Sequence, residues 1–66
     1  MSIAKVIEVL AEGDSIEDAV QAAVSEAAET VRGIKQVYVE SFQAIVEDDE
    51  VVKYRINAKI TFVVGG

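Results

Sequence analysis

Lys53, Arg55 and Lys59 recur at strand spacing near the end of the chain and make up half of its six basic residues. On one face of a strand they can receive a phosphate or other anionic group, or pair with Glu40 or with acidic residues of another copy. The densest charge cluster is Glu47-Asp48-Asp49-Glu50. It can hold calcium or magnesium through oxygen, or act as a solvated turn whose charges prevent edge-to-edge pairing. Its spacing is not that of an EF-hand loop. Asp14 with Asp18, and Glu40 with a neighbouring copy, are further places for a cation. Gln36, Tyr38 and Phe42 add an amide and two rings to the strand that precedes the cluster.

Much chemistry is excluded. Without histidine or cysteine there is no Ser-His-Asp or Cys-His arrangement, no thiolate and no usual zinc or iron ligand set. The glycines, at positions 13, 33, 65 and 66, form no phosphate cradle. A carboxylate pair of the glycosidase kind needs a walled cleft that so short a chain does not supply alone. The chain is therefore expected to bind rather than catalyse.

These side chains have to be positioned by one domain, spanning 1–66. A core of that size rarely supplies more than about 3–5 kcal/mol of net stability. With no disulfide available and 52% of the residues apolar, self-association is the expected support. The net charge of -6 repels phosphate backbones and anionic lipid, so neither nucleic acid nor membrane is an expected partner. No apolar run reaches the roughly 20 residues of a membrane span, and the first residues carry no signal-peptide pattern. A cytoplasmic location follows as the default.

Residues 3–10 are rich in β-branched types and predict a first strand. Ser15 is the expected N-cap of a helix starting near Ile16, with Glu17 and Asp18 set against its dipole. Ile16, Val20, Ala23, Ala27 and Val31 form an apolar stripe, and Gly33 is the expected stop. From Ile34 the chain reads as a long hairpin with Glu47-Asp48-Asp49-Glu50 as its turn, and the pairing that follows takes Asp48 and Asp49 as the two turn residues. Its second arm alternates strictly, with Val52, Tyr54, Ile56, Ala58, Ile60, Phe62 and Val64 on the face that covers the helix. A regular hairpin adds Val37, Val39 and Ile45 to that face. It sends Gln36, Tyr38, Glu40, Phe42 and Ala44 to the other face, beside Lys53, Arg55, Asn57 and Lys59, as the candidate ligand or partner surface. The fold class is α+β, a β-α-β-β chain with a three-stranded antiparallel sheet wrapped around one helix.

The Ser15-Ile16-Glu17-Asp18-Ala19 helix start, the Thr30-Val31-Arg32-Gly33-Ile34 exit and Tyr54-Arg55-Ile56 in the last strand, in this order, resemble the dodecins over about residues 3–64. The resemblance implies a hollow homododecamer that binds or stores a flavin, riboflavin or FMN, as a small-molecule ligand. In flavin-binding dodecins a tryptophan early in the second strand stacks on the isoalloxazine ring. A glutamine after the tyrosine of the third strand bonds the ring's polar edge. Those positions are Gln36 and Arg55 here, and a frequent acidic position of the second strand is Ser41. The implied ligand-binding set is therefore Gln36, Tyr38, Ser41 and Arg55. Tryptophan-free, calcium-associated members suggest the alternative, a calcium- or magnesium-binding or purely structural dodecameric assembly without flavin.

Overall fold

A computed structural model of the chain describes residues 2–65; Met1 and Gly66, the ends of the expected domain, lie outside them. Strand β1 (Ser2–Gly13) leads into helix α1 (Ile16–Ala27), and a long hairpin follows, β2 (Ile34–Glu47) and β3 (Glu50–Gly65). The last strand lies in the middle of the sheet, in the order β1-β3-β2, antiparallel to both neighbours. β1 and β2 consequently run parallel, and parallel strands need a crossover, which the helix supplies.

Local chemistry sets the ends of these elements. The Ser15 Oγ accepts a hydrogen bond of 3.0 Å from the Asp18 amide, capping the helix where the sequence places the cap. The helix ends earlier than expected, at Ala27, and the chain leaves it through bonds from the Thr30 and Val31 amides to the Ala27 carbonyl. Gly33 adopts φ 76°, and its carbonyl accepts from the Val63 amide at 3.0 Å. A Cβ there would lie 2.7 Å from the Val63 oxygen, so glycine is required by close approach to β3 as well as by its backbone angle. At the hairpin tip Asp48 and Asp49 both have positive φ, 53° and 64°, the mirror-image two-residue turn that matches strand twist.

One face of the sheet carries the core. Ile56, Ala58 and Ile60 of β3 are buried against Ala19, Ala23 and Ala27 of α1, and Phe62 is buried farther along the same face. Those three small residues, spaced four apart, let the helix approach the sheet closely. Ile7, Val9, Ala11, Val37 and Val39 complete the packing. The fully buried Ile56 and Ile60 contribute about 1.5–3 kcal/mol each by removal from water.

The pairing of β2 departs from a regular hairpin in a way that moves side chains between faces. Val37 pairs with Ile60 and Val39 with Ala58, as expected, but a register shift between Val39 and Ser41 leaves Glu40 as an extra residue. Beyond it Ser41 pairs with Asn57, Phe42 with Ile56, Gln43 with Arg55, Ala44 with Tyr54 and Ile45 with Lys53. Directly paired residues share a face. Phe42 and Ala44 thus lie on the helix side and Ile45 on the outer side, the reverse of the expectation. The physical reason is the bulge, since one inserted residue inverts the alternation that follows. A second shift, between Ile45 and Val46, restores the register before the turn.

Candidate functional site

The outer face is built as cross-strand rows running β1, β3, β2. They are Val6-Thr61-Gln36, Glu8-Lys59-Tyr38, Leu10-Asn57-Ser41 and Glu12-Arg55-Gln43. A depression of about 180 Å³ lies across the last two rows, lined by Leu10, Ser41, Gln43, Arg55 and Asn57, with Ile56 beneath. Ser41 reaches this face only because of the bulge at Glu40; in a regular hairpin it would point toward the helix.

Asn57 lines the depression, and its Oδ1 is buried and accepts no hydrogen bond from the described residues. An orphaned acceptor of this kind costs about 1–3 kcal/mol unless a donor arrives from outside. Leu10 stands beside it, 71% exposed, as an apolar wall with no cover from its own chain.

The cations of the face are paired. The Arg55 Nε and Nη2 both donate to Oε2 of Glu12, at 2.8 and 2.7 Å, while the Lys53 Nζ lies 3.0 Å from Oε1. Lys59 pairs with Glu40, the bulge residue, at 3.2 Å. The Lys59–Glu40 pair was among those expected from the sequence. The partners of Lys53 and Arg55 prove to come from β1 of the same chain. The Lys53 ammonium and then the Arg55 guanidinium hold the Glu12 carboxyl below its ordinary range. Glu40, by hydrogen bond and charge, and the Glu8 charge raise the Lys59 ammonium above its own.

Of the four expected ligand residues, Ser41 and Arg55 line the depression and Tyr38 occupies the adjoining row, 59% exposed. Gln36 lies farther off. Its row is three strand repeats from that of Arg55, roughly 20 Å at about 3.4 Å per residue. Within one copy Gln36 and Arg55 do not face the same small ring. Gln43 and Leu10 are additions that sequence reasoning did not place on this surface, and Asn57, placed on it from the alternation, was not among the four expected ligand residues. An amide in the middle of the central strand, amid an alternation of apolar and charged residues, was the signal for Asn57.

Other features lie outside this depression. An open groove of about 480 Å³ runs between β1 and α1, walled by Ile7, Val9, Ala11, Ala23 and Ala27 among others. Among the described residues no three carboxylates come together where they could hold a metal ion, and no helix is long and apolar enough to cross a membrane.

The dodecin family profile matches residues 3–65. This chain belongs to the dodecin family. No curated protein sequence matches it. Among solved structures it is similar to a protein from Thermus thermophilus, at a TM-score of 0.91 and 21% identity, covering 100% of this chain and 98% of that one. It is also similar to the dodecin from Streptomyces coelicolor, at 0.90 and 26% identity over 98% of this chain and 94% of that one. For the dodecin from Streptomyces davaonensis the values are 0.89 and 12% identity, over 98% and 97%. The dodecin backbone is thus kept while the side chains on it differ widely.

Proposed function

We propose that the protein is an oligomeric binding or storage protein, a homododecamer in the manner its family name suggests. It takes a small heterocyclic ligand of the flavin type on the outer face of the sheet. The observation that carries the ligand reading is the orphaned Asn57 Oδ1 in the depression shared by Ser41 and Arg55. That acceptor fits a ring N–H, Leu10 offers an apolar wall, and Tyr38 offers the nearest aromatic surface. Gln36 has no ring, so a stacked ligand relies on Tyr38 or on side chains of a second copy. Flavin, when bound, would supply any redox chemistry; the chain's own residues bind and orient.

Oligomerisation is supported by the apolar surface that one copy leaves open: Ile3, Val6, Leu10, Phe42, Val46 and Val51 are all exposed. Both β1 and β2 are edge strands, and neither has its outer edge paired in the sheet.

The test is a titration of the purified protein with riboflavin, following flavin fluorescence alongside sedimentation. Quenching by a large particle, lost in Asn57→Leu, is the expected result. Absence of quenching at tens of micromolar protein overturns the flavin assignment, and sedimentation as a single copy overturns the assembly.

A further inference from the structure

Arg55 lines the depression and Lys53 is the next outward-facing residue along β3, yet both already face a carboxylate of their own chain. The side of a guanidinium that presents Nε and one Nη in parallel is the edge that grips a phosphate or carboxylate through two hydrogen bonds. In Arg55 that edge is already taken, with both nitrogens donating to Oε2 of Glu12. The other carboxylate oxygen holds the Lys53 ammonium. One glutamate from β1 therefore occupies the paired edge of Arg55 and holds the Lys53 ammonium by one contact. The position follows from the fold: Glu12 is the direct cross-strand partner of Arg55, and Lys53 is the next outward-facing residue along β3. A net charge of -6 on the chain works in the same direction. The unmet demand in the depression is of the opposite kind, an acceptor at Asn57 waiting for a donor.

We propose that Glu12 is a specificity-determining residue. By occupying Arg55 and Lys53 it withholds them from anionic ligands and reserves the depression for an uncharged molecule that brings a hydrogen-bond donor to the Asn57 Oδ1. This rests on the ligand reading above and narrows it: between two flavins that share a ring system, the chain takes the one without a phosphate. Glu12 acts through Arg55 and Lys53 and need not touch the ligand.

The test compares the wild-type chain, Glu12→Gln and Glu12→Asp, each in its assembled form, against riboflavin, FMN and inorganic phosphate. Fluorescence titration gives the two flavin affinities. Phosphate binding is read from the arginine Nε–H signals, of which the chain has only two, from Arg32 and Arg55; Arg55→Lys assigns them. The wild type should bind riboflavin about tenfold or more tightly than FMN, and millimolar phosphate should leave the Arg55 signal in place. In Glu12→Gln the FMN affinity should rise about tenfold, the scale of one charge-assisted hydrogen bond, with riboflavin changed less than twofold. Phosphate should then move the Arg55 signal, and Glu12→Asp should keep the wild-type preference. An unchanged riboflavin-to-FMN ratio with an unmoved Arg55 signal in Glu12→Gln overturns the proposal while leaving the flavin reading intact. Failure of every variant to bind either flavin overturns the flavin reading, and the phosphate measurement still decides whether Glu12 guards the cations.

Discussion

The two faces of β3 make opposite use of overlapping stretches of strand, each about 20 Å long. Residues 56, 58, 60 and 62 are buried on the helix side of the sheet and carry no polar side chain. Residues 53, 55, 57 and 59 are partly exposed and carry three cations, each paired with a carboxylate of β1 or β2, and an amide whose buried oxygen has no partner. Stability is concentrated on the first face, where the loss of a methylene leaves a cavity. On the second, exposed ion pairs fix side-chain positions and add little to stability. One strand therefore separates what holds the fold from what remains free to recognise a ligand.

The sharpest way to break this contrast is a pair of adjacent substitutions. Ile60→Ala should cost about 2–5 kcal/mol, comparable to the roughly 3–5 kcal/mol that a domain of this size has in total. Thr61→Ala, one residue on and facing outward, should change stability by less than about 0.5 kcal/mol. Urea unfolding followed by circular dichroism measures both, and similar midpoints for the two would erase the distinction between the faces.

A smaller effect of opposite sign is expected at the unsatisfied amide. Asn57→Leu removes a buried acceptor without a partner and should raise stability by about 1–2 kcal/mol while abolishing riboflavin quenching. A loss of stability instead would mean that the assembled protein already supplies the missing donor. At the hairpin tip, Asp49→Gly relieves a positive φ of 64° and should add roughly 0.5–1 kcal/mol, without effect on ligand titration.

The smallest effect concerns pH. Because the folded state depresses the Glu12 carboxyl, its stabilising contribution is complete above the ordinary carboxylate range and disappears as pH falls through the folded value. The urea-midpoint difference between wild type and Glu12→Gln should therefore stay constant from neutrality down to about pH 5 and shrink progressively as pH falls below the ordinary carboxylate range. It should also shrink in high salt. A difference that persists at pH 2 would assign it to packing rather than charge.

Most of the scaffold was legible in the residues themselves. The Ser15 cap, the Asp48-Asp49 turn and the inward set Ile56, Ala58, Ile60 and Phe62 follow from local chemistry and from a period of two, which the chain states directly. The family resemblance drawn from the helix start, helix exit and last strand agrees with the match over residues 3–65. The helix end was misplaced by several residues, because Ala28 and Val31 continue the apolar stripe while the backbone beyond Ala27 already turns out of the helix.

The candidate site was legible only in outline. Sequence by itself determined which side chains are present, that they include no thiol or imidazole, and that β3 would divide its charged from its apolar residues. It did not determine that Glu40 is an extra residue, because a bulge depends on the twist and pairing of two strands and has no period of its own. That single insertion places Ser41 beside Asn57 and sends Phe42 to the helix side. Nor did it determine that β1, forty-three residues away along the chain, lays Glu12 on Arg55. Such a contact follows from strand order, which only the packing of the helix across the sheet decides.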